Sequence, residues 1–173
     1  WDENGRKDLP WQNPRTPYRV WISEIMLQQT QVKTVIPYFE RWMESFPDLA
    51  ALAKAPLDDV LAHWSGLGYY ARARNLHKAA VLCMERHSGE RPENAEELSA
   101  LPGIGQSTAN AIVSQSMNQP AAVLDGNVRR VLARHAAIEG WTGKSSVQNR
   151  LWKEAKSRLP TNHGADYTQA VMD

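Results

Sequence analysis

The sequence predicts an all-α protein, and three observations carry that prediction. Apolar residues recur at spacings of three and four, no alternation of period two outlasts a few residues, and proline and glycine divide the periodic segments at short intervals. A half-buried strand needs the period-two pattern to face a core, so sheet is not expected as an organising layer. Of 173 residues, 42% are hydrophobic and 23% charged, which is enough apolar material for one substantial core or two small lobes.

The elements follow in order. Thr16-Pro17 supplies an N-cap hydroxyl and a first-turn proline, so a helix is expected from there to about Gln29, carrying Val20, Trp21, Ile25 and Leu27. From about Gln31 to Phe46 a second helix shows Val32, Val35, Ile36, Phe39, Trp42, Met43 and Phe46 at helical spacing, with Pro37 either kinking it or marking its true start. Short helices are expected around Asp48 to Ala53 and Pro56 to Trp64. Gly66-Leu67-Gly68 breaks the chain, and Tyr70 to about His87 forms a basic amphipathic helix. Ala95 to Ala100 and Ser107 to Met117 flank a Pro-Gly-Ile-Gly turn; Gly126 to about Ala136, Ser146 to Arg158 and Ala165 onward complete the set, with no internal repeat and no low-complexity linker.

Composition also sets bounds. No apolar run approaches the roughly 20 residues of a membrane span and no charged-then-apolar leader precedes the first helix, so no membrane partner is expected. Cys83 is the single cysteine, which excludes an internal disulfide or an all-cysteine metal site within the chain and suits a reducing compartment. It lies among Val81, Leu82 and Met84 and reads as packing. The five histidines have no ligand spacing, so no zinc site is expected, and the seven tryptophans read as core and interlobe packing. Net charge is only +1, so a polyanion would have to be met by local clusters. The chain opens on Trp1 and stops at Val-Met-Asp, and it is expected to be a piece of a longer protein.

Three features point to chemistry. The turn at 101–105 joins two helices, and Gly103 and Gly105 leave backbone N–H groups uncovered at the positive end of the second helix, where a phosphate can approach. Such a hairpin holds a nucleic-acid backbone without reading bases. Shortly after comes Asp125, in Val-Leu-Asp-Gly-Asn-Val. Glu24 lies four residues after Val20, three after Trp21 and three before Leu27, so its carboxyl shares a face with large apolar groups. Burial there would raise its pKa and make it a general acid near neutral pH; the alternative is a helix-face glutamate paired with Arg19 or Arg72. Arg72, Arg74 and Lys78, and separately Arg129, Arg130 and Arg134, stand at helical spacings that either meet phosphates or form a solvated face.

Ser23 to Val32 (Ser-Glu-Ile-Met-Leu-Gln-Gln-Thr-Gln-Val), Gly66 to Leu76 (Gly-Leu-Gly-Tyr-Tyr-Ala-Arg-Ala-Arg-Asn-Leu), the hairpin at Leu101 to Thr108, and Leu124 to Val131 resemble, in the same order, adenine DNA glycosylases of the MutY type. These belong to the endonuclease III or helix-hairpin-helix-Gly/Pro-Asp superfamily. The resemblance runs the length of the chain and implies a two-lobed helical DNA-glycosylase fold with a helix-hairpin-helix motif. It implies a six-helix-type lobe over 17–130, with the hairpin at about 95–117, and a second lobe built from 1–16 and 131–173. It further implies a monomeric enzyme that flips adenine out of duplex DNA, where it is mispaired with 8-oxoguanine or guanine, and hydrolyses its glycosidic bond. For a bacterial source the location would be cytoplasmic, at the nucleoid.

Carried over by motif position, Glu24 matches the acid that protonates adenine N7, and Asp125 the carboxylate that stabilises positive charge on the deoxyribose, through its field or a transient bond. Asn127 resembles a residue that supports the aspartate by hydrogen bonding, or is simply a polar helix-start residue. Relatives that also cut the strand carry a lysine where this chain has Ser107; serine cannot form the Schiff base, so a monofunctional enzyme is expected, and Ser107 is also expected to cap the second hairpin helix. Tyr69 and Gln28 match positions that press into the base stack near the oxidised guanine, with Gln29 beside them, although a Tyr-Tyr pair after Gly-Leu-Gly also reads as a core contact. Relatives continue into a four-cysteine loop binding a [4Fe–4S] cluster and then an 8-oxoguanine-recognition domain; the cluster is expected in the full-length protein, with its cysteine ligands absent from this chain. A bifunctional pyrimidine glycosylase and a non-catalytic helix-hairpin-helix DNA-binding module are the alternatives.

Overall fold

Ten helices and no strand form the secondary structure of the described residues in this computed structural model, which are residue 3 and residues 5–172. The chain's opening at Trp1 and its ending at Asp173 lie outside them. The helices are α1 (Pro17–Leu27), α2 (Val32–Ser45), α3 (Leu49–Lys54), α4 (Leu57–Trp64), α5 (Ala71–Arg86), α6 (Ala95–Ser99), α7 (Gln106–Met117), α8 (Gly126–His135), α9 (Ser145–Ser157) and α10 (Gly164–Met172). Their starts are written in side-chain caps: Thr16 accepts from Arg19 N, Asp48 from Ala51 N, Asn94 from Glu97 N and Asp125 from Val128 N. Pro37 lies inside α2 and is not its start. A proline there costs about 3 kcal/mol, and the burial of Val35, Phe39 and Trp42 on one face of the same helix outweighs it.

Two apolar cores organise the helices. The larger draws on α1 to α7 and centres on aromatic contacts: Trp42 meets Trp64 edge-on at 5.6 Å and Phe46 at 4.9 Å, and Trp11 meets Phe39 at 5.4 Å. The smaller contains Ala122, Leu124, Val128, Leu132, Val147, Leu151 and Ala155, with Val171 and Met172 of α10 packed against it. The membership of these cores does not follow the expected lobe bounds residue by residue. Leu9 and Trp11 belong to the larger core rather than to the second lobe, because Trp11 finds its partner in Phe39. The changeover falls at about residue 121, not 130, and seven helices rather than six supply the larger core.

Arg15 remains 3.6 Å from Asp166 of α10, so the N-terminal segment touches both halves. Cys83 is fully buried in the larger core, where desolvation pushes its thiol up to about 11 and makes it inert packing. Trp141 departs from the packing expectation: it is 77% exposed in the loop between α8 and α9.

Candidate active site

α1 packs closely against α7, and the smaller core sets the start of α8 beside them. A cleft opens along this seam as two adjoining hollows of about 370 and 720 Å³, and Glu24, Asp125 and Asn127 line both. The two carboxylates that stand 101 positions apart in the chain therefore face one space.

Their surroundings differ. Glu24 sits in the last turn of α1 between Ser23 and Ile25, both buried, and burial pushes its carboxyl up to about 7. Gln115 of α7 opposes that rise by donating Nε2–H to Glu24 Oε1 at 2.8 Å, and the negative charge of Asp125 adds to it. Neither Arg19 nor Arg72 is its partner: the Arg19 guanidinium donates to Pro10 O at 2.6 Å, and Arg72 is engaged elsewhere. Asp125 is the N-cap of α8. Its Oδ1 accepts Val128 N–H at 2.7 Å, at the helix end where the dipole favours negative charge.

The hairpin turn differs from expectation at Ser107. Gly105 is the N-cap of α7 and contributes no side-chain bond, so the first-turn amides of that helix are left without a capping side chain. Ser107 instead accepts Leu124 N–H on its Oγ at 2.9 Å, tying α7 to the residue just before Asp125. Gly103 has φ +79°, and a Cβ there would come within 2.8 Å of Asn75 Cβ, so both backbone and packing require glycine. A Cβ on Gly105 would meet only open space, which leaves room above the amides for a ligand.

Arg72 is not a free phosphate ligand. Its guanidinium donates to the carbonyls of Ile25, Met26 and Gln28 at 3.0, 2.8 and 2.6 Å, and to Thr30 Oγ1, Leu67 O and Gly68 O at 3.1–3.2 Å. It binds the carboxyl end of α1 to the Gly66–Gly68 turn, where a cation complements the negative helix end. Asn127 is placed on Met172 O, with Nδ2 at 3.2 Å; its bond goes to α10 rather than to the Asp125 carboxylate. Gln28 Nε2 reaches Thr108 Oγ1 at 3.5 Å, across the mouth of the cleft, and Gln29 is exposed with φ +61°. Tyr69 is 65% exposed with φ +49°, which rules out the core-contact reading, and its ring lies 5.6 Å from the Arg72 guanidinium carbon. Arg74, Lys78, Arg130 and Arg134 are exposed, and Arg129 donates Nε–H to Asp125 O at 3.2 Å.

Gln115 was not among the residues singled out from sequence, and neither was Met172. A signal existed for the first: Gln115 lies three and four residues after Ile112 and Ala111, on the buried side of α7, where a polar side chain requires a partner. Nothing local marks Met172, whose sulfur and carbonyl take bonds from Gln115 and Asn127.

A family model described as HhH-GPD superfamily base excision DNA repair protein matches residues 22–157. Over 171 residues the chain is 47% identical to the adenine DNA glycosylase of Buchnera aphidicola subsp. Acyrthosiphon pisum (strain APS), covering 99% of this chain and 49% of that one. The adenine DNA glycosylase of Mus musculus is 43% identical over 182 residues, with 100% of this chain and 35% of the relative covered. The chain thus spans between a third and a half of the length of these relatives. Among solved structures, a thermostable thymine-DNA glycosylase superposes with a TM-score of 0.84 at 26% identity, covering 100% of this chain and 79% of that one. A non-covalent endonuclease III–DNA complex gives 0.78 at 26% identity, with 91% and 72% covered.

Proposed function

The chain belongs to the HhH-GPD superfamily of base excision DNA repair proteins, and from that premise we propose that it is the catalytic part of a DNA glycosylase acting on adenine mispaired with 8-oxoguanine or guanine in duplex DNA. The observation that carries this reading is the unequal pair of carboxyls on one cleft. Glu24, raised to about 7, keeps a substantial protonated fraction at neutral pH and is suited to donate; Asp125 is held as an acceptor by a backbone amide at a helix start.

In the proposed reaction a flipped adenine enters the cleft and Glu24 transfers its proton to N7. The C1′–N9 bond breaks with its electron pair passing to the base, and the Asp125 carboxylate stabilises the oxocarbenium ion until water adds at C1′ and gives its proton to a carboxylate of the cleft. Asn127 supports this carboxylate indirectly, by holding α10 against the start of α8. The first-turn amides after Gly105, on a turn that Gly103 shapes, receive a phosphate. Tyr69, exposed on its strained turn, together with Gln28 and Gln29, presses on the base stack opposite the flipped adenine. Arg72 contributes by fixing that turn to α1 rather than by touching DNA. Ser107 has no amine to form an imine, which supports a monofunctional reaction that leaves an abasic site.

A [4Fe–4S] cluster finds no ligand set in these residues, because the chain's single cysteine is buried among apolar side chains of the larger core. We place its thiolates in the remainder of the longer protein, and no step above passes through it. Partners are proposed as mispaired duplex DNA and no second protomer. No described helix is long and apolar enough to cross a membrane.

The test is single-turnover incubation of the full-length protein with duplexes carrying adenine opposite 8-oxoguanine, followed by alkali to cleave abasic sites. Adenine release with no strand cut before alkali, and no borohydride-trapped complex, is expected. Release of an oxidised pyrimidine in place of adenine would overturn the assignment.

A further inference from the structure

We infer that Gln115 is a positioning residue for the proposed acid: its amide holds Glu24 Oε1 as a hydrogen-bond acceptor, so the acidic hydrogen resides on Oε2, the oxygen left to the cleft. This rests on the proposed function for its consequence in catalysis, though not for its geometry.

Gln115 is only 4% exposed, on the face of α7 that packs against α1, and its Nε2 lies 2.8 Å from Glu24 Oε1. The same nitrogen approaches Met172 Sδ at 3.9 Å. Thioether sulfur only accepts, so a group donating to both must be the NH2 end of the amide; a flipped amide would leave its oxygen facing sulfur with no hydrogen between them. An NH2 group cannot accept the carboxyl hydrogen. Oε1 is thereby committed as an acceptor, and the neutral carboxyl must carry its hydrogen on Oε2, the orientation a donor to a bound base requires.

The donor also favours the ionised form of Glu24, and so tunes as well as orients it. The other charged groups around Glu24 are few. Asp125 of α8 and Arg6 of the N-terminal segment line the smaller hollow, and Arg129 of α8 lines the larger one, its Nε–H given to Asp125 O. α7 has no charged residue, and the charged residues of α2 (Lys33, Glu40, Arg41 and Glu44) are exposed. On α5, Arg72 is bound to the carboxyl end of α1, and Arg74, Lys78, Glu85 and Arg86 are exposed. Asp166 of α10 lies 3.6 Å from Arg15. Among these, Gln115 is the direct hydrogen-bond partner of the carboxyl.

The experiment compares the protein with its Gln115→Met variant, which keeps the volume and removes the donor. The Glu24 carboxyl is followed by 13C-detected NMR titration, with no DNA present, and adenine excision is followed at single turnover across pH. The carboxyl should titrate about one pH unit higher in the variant, and the alkaline fall in rate should move upward with it. The plateau rate should drop about tenfold, because the acid is no longer oriented. A titration midpoint that does not move, in a variant whose thermal melt shows it folded, overturns the inference. If the midpoint moves as stated while neither protein releases adenine, the proposed function fails and the positioning role of Gln115 stands. As a second variant, Gln115→Glu should raise the midpoint further than methionine does, through like charge; an unchanged midpoint there also counts against the inference.

Discussion

Glu24 and Asp125 are the same functional group in two unlike settings. Glu24 projects from the last turn of a helix of the larger core, where buried neighbours and one amide flank it. Asp125 begins a helix of the smaller core, where a backbone N–H and the helix dipole face it. Burial is the largest influence on Glu24, with the charge of Asp125 a lesser one, and the helix start sets the surroundings of Asp125. Burial among apolar side chains raises one carboxyl toward neutral pH and a helix cap turns the other toward a backbone donor, so two packed cores suffice to give chemically similar groups unlike surroundings.

The sharpest break in that contrast is Glu24→Gln. It keeps shape but has no proton to give, and adenine release should fall by about 10³-fold or more while duplex binding persists, as single-turnover and gel-shift assays would read. The same substitution should raise stability above neutral pH. A carboxyl whose folded pKa is raised to about 7 weakens the fold as pH climbs from the ordinary range near 4.5 through 7, so removing it should recover up to about 3 kcal/mol at pH 8 and almost nothing at pH 4 in urea titrations. The proposed excision should likewise slow as pH rises through about 7.

Asp125→Asn should cost about 10²–10³-fold in excision, since the developing cation loses its countercharge. Asparagine is as good an N-cap as aspartate, so the thermal midpoint should barely move. Asp125→Ala, by contrast, should lose about 1 kcal/mol of stability as well. A large stability loss in the asparagine variant would show that Asp125 is held by more than its cap.

Smaller effects separate the two hairpin glycines. Gly103→Ala forces a side chain into φ +79° and against Asn75, and should destabilise by about 1–3 kcal/mol in denaturant melts. Gly105→Ala meets open space at an ordinary φ, so its stability should change by less than about 1 kcal/mol, while affinity for duplex DNA falls several-fold as the methyl crowds the phosphate site. Equal DNA affinity in the Gly105 variant would remove the hairpin amides from the interface.

Much of the molecule was legible before any coordinates. Helix bounds agree within about two residues, because caps, prolines and glycines are local signals; Thr16, Asp48 and Asn94 are examples. Glu24 was legible as a carboxyl on an apolar face for the same reason. The polar partners were not. Arg72 reads as a basic-face residue and is bonded to the end of α1, Ser107 reads as a cap and takes the amide of Leu124, and Asn127 reads as a support for Asp125 and bonds to Met172. Core membership departs from the expected lobe bounds because Trp11 packs on Phe39, a pairing that no local pattern announces.

From the amino-acid order alone came the helices, the glycine turn and the two carboxyls, since each depends on contacts within about four residues along the backbone. The meeting of Glu24 with Gln115 across 91 positions, and of both with Asp125, came from how α1, α7 and α8 pack. A hydrogen bond is chosen among whatever groups burial brings within about 3 Å, and that choice exists only once the helices have docked.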